Sequence, residues 1–208
     1  MAVVRYTRQL MRAVVTIVLA LSFVALPLAQ RGARVSTSVE CAATLGAGVK
    51  SRRTFCDVLI GSRPTDSVYV PIPRHVGVAT LLFDLHNRFT VPAVAVPGPL
   101  TFARHEAVVS VIKPTGETLS RAAVVREFRM LSDLFDQIAG GVRPGGVKSV
   151  GPGPAESIRV TVPAGISSVG IVGERLKVMT RASEETFETP GRPVAIVSNV
   201  RIEYRPAP

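Results

Sequence analysis

The chain has no tryptophan, and aromatic residues make up only 5% of its 208 positions. Its tyrosines are Tyr6, Tyr69 and Tyr204. Sugar-binding sandwiches stack sugar rings on exposed aromatic faces, and here Phe55, Phe83, Phe102 and Phe128 fall at core positions, so the composition argues against a polysaccharide-binding module. Cysteine is scarce as well. With Cys41 and Cys56 alone there is no Cys-x-x-Cys redox pair and no thiolate set for zinc. A Gly-x-Ser-x-Gly nucleophile elbow is missing. The stretch Gly145-Gly146-Val147-Lys148-Ser149 lacks the glycine that a phosphate loop places directly before its lysine, and no helical pattern follows it. Acidic side chains are the minority, 15 against 25 basic ones, and like charges adjoin only in the pairs Arg52-Arg53 and Glu184-Glu185.

What is present begins with the first thirty residues. Arg5, Arg8 and Arg12 precede an uncharged run from Ala13 to Ala29, the n-region and h-region layout of an export signal. The run is shorter than the roughly 20 residues a spanning helix prefers, and Pro27 interrupts it. Ala29 suits the last residue before cleavage, whereas Pro27 is a poor residue two positions earlier. A cleaved signal and an uncleaved N-terminal anchor are therefore both open. Either one places the remainder outside the cytoplasmic membrane, secreted or periplasmic in the first case and held on the membrane's outer face in the second.

Without residues 1–30 the three arginines go and no acid does, which leaves 22 basic against 15 acidic side chains. A translocated basic chain rarely meets nucleic acid. Its expected partner is an anionic envelope polymer, a lipid headgroup or a partner protein. In an oxidising compartment Cys41 and Cys56 most simply form one disulfide. No cofactor is indicated.

Alternation defines the rest. Two segments rich in β-branched residues, Thr101 to Lys113 and Thr118 to Met130, flank Pro114-Thr115-Gly116-Glu117 and predict a hairpin. Ala107, Val109 and Val111 share a face with Ala122, Val124, Phe128 and Met130 only if Lys113 lies opposite Thr118. That register puts Val109 opposite Ala122, Arg104 opposite Glu127 and His105 opposite Arg126. Other strands are expected at Thr54–Ile60, Ser67–Pro73, Ala79–Asn87, Phe89–Val96, Ser157–Pro163, Val169–Thr180 and Pro193–Arg205. Prolines at alternate positions confine Ser67–Pro73 to an edge. The apolar phase flips across Gly173-Glu174, which predicts a β-bulge. In the last strand Val194, Ile196, Val200, Ile202 and Tyr204 alternate against polar neighbours.

Residues 31–53 read as a linker that carries the start of the disulfide loop. Leu131–Ala139 has the spacing of a two-turn helix capped by Ser132. Gly141–Pro154 is a Gly/Pro-rich loop long enough to be functional or mobile, and it carries Arg143 and Lys148. About eight or nine strands without a βαβ rhythm predict a single all-β domain over residues 54–206, an antiparallel sandwich of jelly-roll or Greek-key kind, with a closed barrel second.

Asp84 and His86, two apart on one strand, share a face. With Asn87, and with His75 or His105-Glu106 from elsewhere, they could begin a metal site, although the His-x-His of jelly-roll metal enzymes is missing. His105 and Arg126 intrude on an apolar face. They mark either the point where that face opens to solvent or a small anion site. Arg143 and Lys148 are the cations best placed to meet an anionic partner. No catalytic residue is singled out. The functional expectation is an exported, non-catalytic binding or assembly sandwich; a secreted glycan hydrolase or lyase, metal-dependent in one version, is the alternative.

Overall fold

A computed structural model of the chain describes residues 32–47, 53–88, 103–128 and 154–208. The expected strand at Phe89–Val96 and helix at Leu131–Ala139 lie outside these residues, as does the Gly141–Pro154 loop except for Pro154. Among the described residues the strands are β1 (Ala33–Ser36), β2 (Ala43–Ala47), β3 (Thr54–Leu59), β4 (Val68–Pro71), β5 (Ala79–Asn87), β6 (Ala103–Ile112), β7 (Thr118–Phe128), β8 (Glu156–Val162), β9 (Ser168–Thr180), β10 (Glu184–Phe187) and β11 (Pro193–Tyr204). One turn of 3-10 helix, Pro64–Asp66, precedes β4.

They form two antiparallel sheets packed as a sandwich of the jelly-roll or Greek-key kind. One sheet runs β2-β3-β11-β5-β8, and the other runs β10-β9-β6-β7. Each is organised around a long strand that holds two short strands end to end on one flank. β11 pairs with β5 along one side and with β3 and then β1 along the other. β9 likewise pairs with β6 on one side and with β4 and then β10 on the other. The core between the sheets is aliphatic. Phe83, Leu81, Leu85, Ile171, Leu176 and Ile202 are its largest fully buried side chains.

The hairpin register is the expected one over most of its length. Val109 faces Ala122, Arg104 faces Glu127 and His105 faces Arg126, with Val109, Val111 and Val124 buried. It differs at the turn. Lys113 N–H donates to Glu117 O at 2.8 Å and Gly116 N–H to Lys113 O at 2.9 Å, so the loop has three residues, not four. Gly116 takes φ +86°, the left-handed residue that a three-residue hairpin loop requires. The pairing then shifts between Ile112↔Thr118 and Val111↔Ser120, leaving Leu119 as an extra residue that restores the expected register. Arg104 forms its ion pair not with Glu127 but with Glu106 on its own strand, at 4.0 Å.

The bulge in β9 is also where the phase flip placed it. Val108 pairs with Arg175 and Val109 with Gly173, which leaves Glu174 as the extra residue. Two elements correct the sequence reading. Part of the segment taken as a linker forms β1 against β11 and β2 against β3. In β11 the alternation is broken twice: Ala195 and Val197 face the core, while Ile196 belongs to the outer face. Val194 is an extra residue opposite β3, and Asn199 with Val200 spans one position opposite β5, which returns Val200 and Ile202 to the core.

Candidate functional site

The outer face of the first sheet carries a polar cluster built from three adjacent strands. Asp57 on β3, Ile196 on β11 and His86 on β5 lie side by side, and Ser198 pairs with Asp84 in the next row. The Nε2 of His86 is 2.9 Å from Ser198 Oγ. The Phe55 ring meets the imidazole edge-on at 5.9 Å. Asp84 accepts from Asn199 Nδ2 at 2.9 Å and from Ser157 Oγ at 3.3 Å, with Arg53 3.9 Å away. Asp57 stands 3.2 Å from Arg88 Nε. Burial pushes the Asp57 carboxyl above its ordinary range, and the Arg88 charge only partly offsets that push.

This cluster contains the contact of a nucleophile–base pair, a serine hydroxyl on a histidine nitrogen. Ser198, however, is 1% exposed. A hydroxyl so enclosed is closed to substrate, and the bond's effect is to lock the β5–β11 pairing where the bulge would loosen it. Asp84 and His86 do share a face, as their spacing requires. His105 belongs to the other sheet, and His75 lies outside both sheets' strands. Among the described residues no set of three His, Cys, Asp or Glu side chains gathers in a way that could hold a metal ion.

Asn199 is what the sequence reading missed. It is the single non-glycine residue with positive φ among the described residues, at +54°, and its side chain reaches Asp84 from that conformation. Its identity was the available signal, because asparagine tolerates the left-handed region better than most residues. Asn199→Val is expected to lower stability by about 2 kcal/mol, from backbone strain together with the lost bond to a carboxylate. Asn199→Gly should cost about half of that. Urea unfolding of the two variants checks the order, and a valine no worse than glycine would show that the conformation is not demanding.

The second polar layer lies between the sheets at the open end of the hairpin. His105 is 4% exposed, so the face does not open to solvent there. Arg126 meets a carboxylate of the protein itself. Glu156 at the start of β8 lies 3.1 Å from its guanidinium, and Arg126 Nη2 also donates to Pro154 O at 3.2 Å. Asn87 Nδ2 donates to the carbonyls of His105 and Val124 at 3.3 and 3.4 Å, tying β5 to the hairpin. Arg126 therefore closes the margin between β7 and β8. Arg143 and Lys148 lie outside the described residues.

Outside the second sheet, Glu174 uses its bulged position to accept from Ser110 Oγ and, at 2.7 Å, from Arg121 Nε. Burial alone would raise its carboxyl, but those two hydrogen bonds and the Arg121 and Arg175 charges outweigh it and hold the group below its ordinary range. A carboxyl depressed in the folded state contributes stability that is complete above its unfolded value of about 4.3 and is lost as pH falls through the lower folded value. Glu174→Gln should thus unfold more easily than the parent chain at pH 6, with the difference shrinking toward pH 3 in urea titrations. A difference that grew on acidification would contradict this sign.

The disulfide joins Cys41 to Cys56, as expected, with the Cα atoms 5.3 Å apart. No family model matches the chain, and no curated protein matches it. Among solved structures, the K1 cleaved adhesin domain of the Lys-gingipain of Porphyromonas gingivalis W83 is 12% identical, with 86% of this chain and 95% of that chain covered and a TM-score of 0.33. At that identity and overlap it bears on neither fold nor role.

Proposed function

We propose that the chain is exported and that its sandwich is a binding or assembly module of the cell envelope or extracellular space, not a catalyst. The observation that supports this best is how the described polar side chains are used. Asp84 is engaged by Ser157 and Asn199, Glu174 by Ser110 and Arg121, and Arg126 by Glu156. Each set fixes a strand pairing or a sheet margin, and the two histidine-bearing layers belong to opposite sheets. Export is supported by the basic and apolar layout of residues 1–30 together with the Cys41–Cys56 bond.

The partner proposed is anionic, either an envelope polymer or an acidic protein surface. The excess of arginine in residues 31–208 attracts it, and Arg143 and Lys148 supply contacts. Heparin serves as a polyanion probe. Binding measured at 50 and 300 mM salt should weaken steeply with salt, and it should weaken several-fold when Arg143 and Lys148 are both changed to alanine. Affinity indifferent to salt and to both substitutions would remove the electrostatic model.

A further inference from the structure

We infer that one end of the sandwich is built to rest on an anionic lipid surface, with Val76 and Val78 entering the headgroup layer. Val76 and Val78 lie between β4 and β5 and are 49% and 62% exposed, the most exposed of the large apolar side chains described. They are not loose. Val76 N–H donates to Arg205 O at 2.9 Å and Ala207 N–H to Arg74 O at 3.2 Å, so the chain beyond β11 is laced along this loop. His75 Nδ1 lies 2.9 Å from Pro73 O, and its Nε2 lies 3.4 Å from Pro163 O, which fastens the loop to the β8–β9 connection. Gly77, at φ +74°, makes the turn between the two valines. The backbone is held so that the valines project and cannot fold back.

Charge at this end has one sign. Residues 71–79, 163–167 and 205–208 contain Arg74, His75 and Arg205 and neither Asp nor Glu. Glu203, two residues before Arg205, is held between Arg34 and Arg159. An apolar tip ringed by arginines matches a membrane–water interface, where the apolar groups leave water and the cations meet anionic headgroups.

In the anchored reading of residues 13–29, the position of the chain's first described residues selects lipid over other apolar partners. Ala33 pairs with Tyr204, and Thr80 pairs with Glu203 on the opposite flank of β11. Gly32 and Val78 therefore belong to the same end of the sheet, about two strand spacings or roughly 10 Å apart. The uncharged run ends at Ala29. The three residues from there to Gly32 reach no farther than about 10 Å. A segment 13–29 held in a bilayer would bring this end, and not the opposite one, to the headgroups. The inference concerns a different surface from Arg143 and Lys148, so heparin binding through those cations can fail without touching it.

Both native cysteines are bonded, so an introduced cysteine is a specific label site. The full chain would carry an environment-sensitive fluorophore at Val78→Cys or at Ala182→Cys, beyond the far end of β9. It would be reconstituted in vesicles of phosphatidylcholine with and without phosphatidylglycerol, doped with headgroup nitroxide quencher. Quenching at position 78 should exceed that at 182 at least about threefold, should increase with the anionic lipid, and should fall back when Arg74 and Arg205 are both changed to glutamate. Equal quenching at the two positions would overturn the inference. So would shielding of position 78 that depends on protein concentration in detergent without lipid, because that result would assign the tip to a second copy of the chain.

Discussion

Gly173→Ala is expected to destabilise the protein by about 3 kcal/mol, although it adds one methyl group. Gly173 sits where the two sheets are bridged by backbone pairing. In β9 it falls in the gap between the stretch paired with β4 and the stretch paired with β10. The chain leaving β3 crosses there from one sheet to the other: Ile60 bridges to Gly173, and Gly61 N–H donates to Gly173 O at 3.1 Å. Ile60 N–H also donates to Arg192 O at 2.8 Å, so the same short segment is bonded to β9 and to the approach to β11. A Cβ at position 173 would lie 2.5 Å from Val194 Cγ2, 3.1 Å from Leu59 O and 3.2 Å from Ile60 N. The two backbone atoms cannot swing away. Val194 is fully buried, and its β-branched side chain has few rotamers to retreat into. Relief must therefore come from separating the sheets along this margin. Gly165→Ala is the control: its φ is +81° with nothing within 4 Å of a Cβ, so it should cost only the backbone strain of about 1 kcal/mol. Urea unfolding of both variants gives the comparison, and equal costs would mean that the margin is not tight.

Gly173 also shows where sequence reasoning reached and where it stopped. The bulge was legible because apolar residues sit at Val169 and Ile171 and then at Leu176 and Val178, a phase change that a regular strand cannot absorb. That the glycine beside it meets another strand was not legible, because the contact is with Ile60 and Val194, far away in sequence. The hairpin was readable for a similar local reason: its apolar sets agree in only one register. The turn was misread by one residue because Leu119 absorbs the difference inside β7, and an extra residue with an ordinary apolar side chain leaves no periodicity signal. β11 failed more instructively. Val194, Ile196, Val200 and Ile202 look like one face, but two bulges place Ala195 and Val197 inward and turn Ile196 out. Alternation cannot separate two cancelling shifts from none. β1 and β2 were missed because they are short and rich in small residues, and their pairing is imposed by β11 and by the disulfide rather than by propensity.

The polar layers follow the same pattern. That Asp84 and His86 share a face follows from strand period alone. That His86 bonds Ser198 depends on the β5–β11 register, and that register is itself shifted by the bulge at Asn199. The carboxylate facing Arg126 comes from β8, and no spacing argument links residue 126 to residue 156.

Breaking the Cys41–Cys56 bond is expected to lower stability by about 3 kcal/mol, the chain-entropy value for a loop of this length. The bond spans a separation of 15 residues, but its place in the fold matters as much as the loop it closes. Glu40, next to Cys41, exchanges both backbone hydrogen bonds with Tyr69 of β4, at 3.0 and 2.8 Å, and so belongs to the second sheet. Cys56 lies in β3 of the first sheet and is wholly buried. The disulfide therefore staples one sheet to the other on the margin that Ile60 and Gly173 also close. Reduction without substitution removes the tie and leaves the packing of Cys56 intact. Cys56→Ala combined with Cys41→Ala removes buried volume as well and should cost about 1 kcal/mol more. The loss should also be local before it is global. Hydrogen exchange at the Glu40 and Tyr69 amides should speed up on reduction at denaturant concentrations that leave Val109 and Val124 protected, because the β6–β7 hairpin is separated from Glu40 within the second sheet by β4 and β9. The oxidised state itself is read from the intact mass of exported protein, which should be lower by two hydrogens than that of the reduced chain. Two free thiols in exported, native protein, or uniform exchange across both sheets on reduction, would show that the staple is not what holds this margin.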